Sequence, residues 1–278
     1  MIGQHEKALC FRALHQRAGA FIIPNPWDIG TARLLRQLGF EALATTSAGY
    51  AFSLGLPDGS VSRAAAIGHA AAIAAATELP VSADLENGFG DDPQAAAETI
   101  RMAAAAGLAG GSIEDAGRHP APAVYQIERA VERVHAAAEA ASALPFPFLL
   151  TARAENYLYG RPDLRDTIRR LQRYQEAGAD VLYAPGLTTR EEISAVVRSV
   201  DRPVNVLMGL AGSGLTLADL VELGVRRVSV GSALSRVALA AFLGAAREMR
   251  DRGTFTFARN AATLRDLNEA FAGQEAGS

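Results

Sequence analysis

Apolar and polar positions along this chain follow two alternating patterns. Short apolar runs rich in β-branched residues recur at 21–25 (FIIPN), 42–47 (ALATTS), 80–85 (PVSADL), 110–115 (GGSIED), 148–153 (FLLTAR), 181–185 (VLYAP), 203–208 (PVNVLM) and 227–231 (RVSVG). They are short, apolar and bounded by Gly or Pro, which predicts buried strands. Between them, longer Ala-rich stretches with helical spacing predict helices over 28–38, 62–78, 93–106, 123–142, 162–177, 188–199, 216–223, 233–251 and 257–272. In QLGFEAL, AAGLAGGSI, EAGADVL and ELGVRRV a glycine precedes the strand, as a helix C-cap before the return to a sheet. Pro93 and Pro162 stand where a first helical turn should begin. No linker or shift in composition divides residues 1–278. The β–α alternation in one undivided chain therefore predicts an α/β fold, a single (β/α)8 barrel of the TIM type. A doubly wound open sheet is the alternative. It is weakened because no G-x-G-x-x-G fingerprint follows a strand.

Composition narrows the chemistry. Of 278 residues, 49% are hydrophobic and 21% charged, with a formal net charge of −3. Such a chain has no general attraction for nucleic acid or anionic membranes. No apolar run of membrane-spanning length occurs, and the first residues, MIGQHEKALCFRALHQRAG, lack the apolar core of a signal peptide. A cytoplasmic location is expected. The one cysteine, Cys10, excludes an internal disulfide and a cysteine-based zinc site. The one lysine, Lys7, precedes the first strand and is badly placed for a Schiff base, which disfavours lysine aldolases and pyridoxal phosphate enzymes. The abundance of Ala and Arg reads as genome composition.

In a barrel, the C-terminal ends of the strands form the active-site face. The residues expected there are Asn25, then Thr46 and Ser47 with Asp58 in the following loop, then Asp84 and Glu86, Glu114 and Asp115, Arg153 with Glu155, a bland YAP, Asn205, and finally GSALSR. Asp58, Asp84, Glu86 and Glu114 would converge, and uncompensated carboxylates in one mouth repel and raise each other's pKa. A divalent cation resolves this. Oxygen-only ligands without a His/Cys cluster point to Mg²⁺ or Mn²⁺. Residues 84 and 86 share a face if the strand continues, and Gly88 and Gly90 would let backbone pass close to a ligand. Asp91 and Asp92 before Pro93 read as helix caps. Arg153 suits a substrate carboxylate or phosphonate, or equally a rim ion pair with Glu155 or Glu114. TTSAGY could offer backbone N–H groups to an anion, or be a plain turn. His69 and His135 fall in predicted helices, and only His119 lies on a loop at the right face.

At these residues the sequence resembles the isocitrate lyase/phosphoenolpyruvate mutase superfamily, in order from about residue 10 to 250. NPWDIGTARLLRQLGFEALATTSAGYAFSLGLPDG resembles its first two units, and ADLENGFGD resembles its D-x-D/E-x-G-x-G metal motif. GGSIED, TARAE and PVNVLM match later motifs. The resemblance implies a Mg²⁺-dependent lyase-like enzyme that acts on a small 2-oxo acid or dicarboxylate, making or breaking a C–C or P–C bond through an enolate-like intermediate. By position it implies that Asp84 binds the metal directly and that Asp58, Glu86 and Glu114 hold its waters. Thr46, Ser47 and Ala48 would bind the substrate carboxylate, Arg153 the oxo and carboxylate oxygens, and Asn205 would face the substrate. Arg153, Glu114 and Asp58 are the expected catalytic residues. It further implies a homodimer or homotetramer that swaps C-terminal helices, here within about 233–272.

The departures matter. The lyase loop bearing a catalytic cysteine is replaced by the shorter EDAGRHPAPAVYQIER, with neither cysteine nor lysine, and Pro185 stands near where lyases place a glutamate and mutases a histidine. Tyr50, His119 or a metal-bound water would have to supply the proton. Two other readings remain. One is a non-catalytic 2-oxo acid binder. The other is a phosphate-binding barrel enzyme using the Gly/Ser-rich loops 207–214 and 229–236.

Overall fold

All eight apolar runs become strands of one parallel sheet: β1 (Phe21–Ile23), β2 (Leu43–Ala44), β3 (Val81–Asp84), β4 (Gly110–Glu114), β5 (Leu149–Arg153), β6 (Val181–Tyr183), β7 (Val204–Leu207) and β8 (Arg227–Ser229). The computed structural model describes residues 2–117, 124–209 and 213–272. Neighbours pair in the order β1-β8-β7-β6-β5-β4-β3-β2, and helices alternate with the strands, so the fold is a (β/α)8 barrel of the TIM type. The seam between β1 and β2 carries no ladder. It is closed by a bond from the Ala44 N–H to the Pro24 carbonyl at 3.1 Å and by the buried Asn25 amide. That amide donates to the Thr45 carbonyl at 3.0 Å and accepts from the N–H groups of Val230 and Gly231 at 3.0 and 2.9 Å. Asn25 is thus a fastener of the barrel.

The helices are α1 (Gln4–Gln16), α2 (Ile29–Gln37), α3 (Ser47–Ser53), α4 (Arg63–Ala75), α5 (Pro93–Ala105), α6 (Ile127–Ser142), α7 (Leu164–Glu176), α8 (Arg190–Arg198), α9 (Leu217–Glu222), α10 (Ala233–Arg252) and α11 (Leu264–Ala272), with a 3₁₀ turn over Thr256–Asn260 before α11. Pro93 is the first residue of α5, whereas Pro162 precedes the cap, since Asp163 caps α7 through the Asp166 N–H. The alanines are largely structural. Ala96, Ala97, Ala103 and Ala104 of α5 and Ala130, Ala137, Ala138 and Ala141 of α6 are buried in the main core. Small side chains there let two helices and the sheet approach closely.

α1 has no counterpart among the expected elements. Its buried Ala8, Phe11, Leu14 and His15 form one stripe that packs with Phe21, Ile23, Leu149 and Val181 at the N-terminal end of the barrel. It also ties down other helices. Lys7 donates to the Ala74 and Thr77 carbonyls at 3.0 and 2.6 Å, and Gln4 to those of Ala104 and Leu108 at 2.6 and 3.0 Å, satisfying carbonyls at the ends of α4 and α5. The lone lysine is a helix cap. At the other end of the chain, α10 buries only Ser235, while Val237 and Phe242 are 68% and 67% exposed. No helix among the described residues is long and apolar enough to cross a membrane.

Candidate active site

The strand β3 ends at Asp84, so alternation along a strand does not bring Glu86 beside it. A turn does so. Glu86 and Phe89 have φ of 47° and 59°, a left-handed conformation that side chains rarely adopt. The two glycines serve the adjoining helix rather than a ligand. A Cβ on Gly88 would come within 2.9 Å of the Ala96 Cα, and one on Gly90 within 2.7 Å of the Ala95 Cβ, both in α5. Arg133 on α6 clamps this turn by donating to the carbonyls of Asn87, Gly90 and Asp92. Asp92 occupies the N-cap position of α5, but its side chain pairs with Arg129 at 2.8 Å. Asp91 instead accepts from the Tyr125 hydroxyl at 2.6 Å. Neither aspartate makes the expected side-chain cap.

Around this turn the predicted residues gather. One cavity of about 160 Å³ is lined by Thr46, Ser47, Ala48, Asp58, Asp84, Arg153 and Asn205 among others. An adjoining cleft shares Ser47, Asp58 and Arg153 and adds Glu86, Glu114, Glu155 and Tyr159. Every candidate for substrate or metal thus lines one of two connected hollows at the C-terminal ends of β2 to β7. TTSAGY is the start of α3. Thr46 is its N-cap and spends its Oγ1 on the Gly49 N–H at 3.2 Å, while the Ser47 N–H donates to Asp84 Oδ2 at 3.1 Å.

Arg153 is the hub. Nη1 lies 3.0 Å from Asp84, Nη2 3.2 Å from Glu114 and Nε 2.9 Å from Glu155. Both readings of its pairing with Glu155 or Glu114 are realised, with Asp84 added. Burial opposes the Arg153 charge, but Glu155, Glu114 and Asp84 outweigh it and hold the guanidinium protonated. One cation cannot balance three carboxylates. Glu114 is therefore pushed well above the usual range by burial, with Glu155, Asp84 and Glu86 adding repulsion against the pull of Arg153. Glu155 is raised by burial as well. Asp58 stands on the exposed rim, where crowding by the protein and the Asp84 charge raise its carboxyl.

Among the described residues, no three carboxylates or imidazoles converge closely enough to ligate one ion directly. The donor set is nonetheless oxygen-only and in excess of its cation, which fits a hard ion held by one carboxylate and otherwise by water. Asp84 would be the direct ligand, with Asp58, Glu86 and Glu114 reaching it through water.

Three side chains here escaped the sequence reading. Tyr183, in the run read as bland, is buried and stacks its ring 5.2 Å from the Arg153 guanidinium carbon. Tyr159 lines the acidic cleft, its hydroxyl raised to about 12 by burial and by Glu114 and Glu155. Arg227 lies on the inner face of β8. Its signal was present in the alternation of RVSV, where Arg227 and Ser229 share one face and the valines the other. Tyr50 stacks on His69 with centroids 3.8 Å apart, and the pair borders Asp84 and Glu86. His119 lies outside the described residues, as do residues 210–212 of the first Gly/Ser-rich loop. An antiparallel bridge between Ala116 and Val124 joins the two ends of the loop after β4.

The family model of phosphoenolpyruvate phosphomutase matches residues 11–250. A crystal structure of a Burkholderia cenocepacia J2315 protein, provisionally described as a lyase/mutase, is 64% identical, with a TM-score of 0.93 over 97% of this chain and 96% of its own. The 2-methylisocitrate lyase of Halalkalibacterium halodurans is 29% identical over 90% of this chain and 84% of its own length. A phosphonopyruvate hydrolase crystallised with oxalate and Mg²⁺ is 25% identical, with a TM-score of 0.84 over 96% of this chain and 95% of its own.

Proposed function

For a chain that belongs to the isocitrate lyase/phosphoenolpyruvate mutase superfamily, we propose a Mg²⁺-dependent lyase-type enzyme that acts on a small 2-oxo acid through an enolate-like intermediate. The observation that carries this reading is the meeting of Arg153 with Asp84 and Glu114 beside the Ser47 N–H, in one hollow with Asp58 and Asn205. The set combines donors for a carboxylate and a 2-oxo oxygen with an excess of anionic oxygen ligands.

Asp84 would hold the ion and Asp58, Glu86 and Glu114 its waters; when bound, the ion polarises the 2-oxo group and takes up the charge that develops on its oxygen. The chain's own contribution is preorganisation. Arg153 is fixed by three carboxylates and the Tyr183 ring, so its N–H groups need little reorganisation to meet the oxo and carboxylate oxygens. The Ala48 N–H, joined by the Ser47 N–H if Asp84 turns from it toward the ion, would take the other side of the carboxylate. Asn205 is held by Arg227 and Ser229 at 2.9 Å each, which sets its amide orientation toward the cavity. The proton would come from Tyr50, His119 or a metal-bound water. A lyase of the usual kind is disfavoured because the cysteine-bearing loop is absent from the sequence.

The phosphate-barrel reading is weakened at its second loop. The Val230 and Gly231 N–H groups, which would cradle a phosphate, are already engaged by Asn25. The non-catalytic binder keeps the same site and differs in lacking turnover. The exposed apolar residues of α10 support a homodimer or homotetramer in which α10 docks on a second copy.

The test is a thermal-shift panel of 2-oxo acids and sugar phosphates, each with Mg²⁺ and with EDTA. A ligand at 100 times its Kd adds about 2.7 kcal/mol. Stabilisation by 2-oxo acids only with Mg²⁺ is the expected result. Stabilisation by sugar phosphates alone, indifferent to metal, would overturn the reading.

A further inference from the structure

Arg227 crosses the barrel lumen with no carboxylate to meet it. The residue is 5% exposed. Nε donates to Asn205 Oδ1 at 2.9 Å, Nη2 to Thr151 Oγ1 at 3.0 Å, and Nη1 faces His15 Nε2 at 3.4 Å. All three partners are neutral. His15 donates from Nδ1 to the Phe11 carbonyl at 2.8 Å, which leaves Nε2 as a lone pair for the arginine. Burial, reinforced by Arg227, holds the imidazole down to about 3, so it carries no charge at neutral pH. By contrast Arg153 and Arg170, also largely buried, are each matched to carboxylates, and the buried Arg133 is met by three backbone carbonyls. Among the described residues Arg227 forms no ion pair.

A buried charge without a counter-charge is costly. Arginine offers five N–H groups in a planar fork, and three are used, leaving one on each Nη without a partner among the described residues. Barrel interiors are ordinarily filled by Val, Ile and Leu, and Ile23, Ala44 and Ala83 do line this cavity, but Ser82, Ser112 and Ser229 stand among them beside Arg227. The cavity is thus mixed in character with a cation in its wall, and it is the same hollow that holds Ser47, Asp84 and Arg153.

We propose that Arg227 forms the floor of the substrate cavity and receives a second acidic group, so that the site selects 2-oxo acids bearing a distal carboxylate over monocarboxylic 2-oxo acids. This rests on the 2-oxo acid reading above and adds to it the residue that recognises the far end of the substrate. The planar fork suits a carboxylate, and the surrounding hydroxyls can donate to the same anion.

The test compares 2-oxosuccinate with 2-oxobutyrate, which share a carbon skeleton and differ in a distal carboxylate against a methyl group. Dissociation constants are measured on the full chain with Mg²⁺. The wild type should prefer the dicarboxylate by about tenfold or more, the scale of a charge-assisted hydrogen bond. In Arg227→Gln the preference should collapse toward unity, the dicarboxylate losing about tenfold more affinity than 2-oxobutyrate, and Arg227→Lys should keep part of the preference. Equal affinities in the wild type would overturn the proposal, and that comparison stands even if the variants do not fold. An Arg227→Gln variant that weakens both ligands equally would also overturn it, since Arg227 would then act only by holding Asn205. If neither acid binds the wild type with Mg²⁺, it is the functional reading that fails, and this proposal falls with it.

Discussion

Asp84 is the residue on which most of the site turns, because its two oxygens serve different partners: Oδ1 meets Arg153 at 3.0 Å and Oδ2 accepts from the Ser47 N–H at 3.1 Å. Replacing it with Ala should abolish metal-dependent ligand stabilisation, measured by thermal shift with Mg²⁺ against EDTA. Intact binding in that variant would show the metal assignment to be wrong. The position of this residue at the mouth was legible, since it ends an apolar run and barrel strands deliver their last residues to that face. The role of its neighbours was not. Nothing in ENGFGDD shows that Glu86 takes a left-handed φ or that Gly88 faces α5, because both depend on how closely a helix not yet placed will approach. Gly88→Ala adds a Cβ at 2.9 Å from backbone and at a φ of 78°. It should destabilise the fold by about 1–3 kcal/mol in urea unfolding. A stability within about 0.5 kcal/mol of wild type would show that the turn has slack there.

At the scale of elements, all eight strands were readable from short apolar runs, since strands buried on both faces carry the strongest local signal. α1 was missed although its buried stripe of Ala8, Phe11, Leu14 and His15 has helical spacing, because it lies outside the β–α alternation. α3 was missed because seven residues give too little periodicity. α1 makes a pH prediction. The usual pKa of 6.5 for His15 falls to about 3 in the fold. Between those values the unfolded chain binds more protons than the folded one. The contribution of a neutral His15 is therefore complete above 6.5 and is lost as pH falls, by up to about 1.4 kcal/mol per pH unit. Urea unfolding across this range should show a steeper acid loss in wild type than in His15→Gln, which keeps an acceptor for Arg227. Parallel curves would contradict the neutral, buried assignment. Asn25 makes a second prediction at this scale. Asn25→Ala leaves the Val230 and Gly231 N–H groups without their acceptor, and should cost about 2–4 kcal/mol in the same assay.

For the whole molecule, sequence pattern carries the barrel best and the arrangement of α10 least. The spacing of α10 announces a helix but not which barrel it lies on. Its exposed Val237 and Phe242 predict a solution mass that is a multiple of 29.2 kDa, by light scattering, reduced to the monomer in a Val237→Asp, Phe242→Asp double variant. A monomeric wild type would remove the case for helix exchange. The proposed site should complement an enolate and not merely a 2-oxo acid, and calorimetric titration with oxalate, a planar dianion resembling the enolate of pyruvate, alongside pyruvate itself, decides this. Oxalate should bind only with Mg²⁺ and about 10²-fold or more tighter than pyruvate, as a mimic of the stabilised intermediate should. Oxalate binding that is indifferent to EDTA, or no tighter than that of pyruvate, would contradict it.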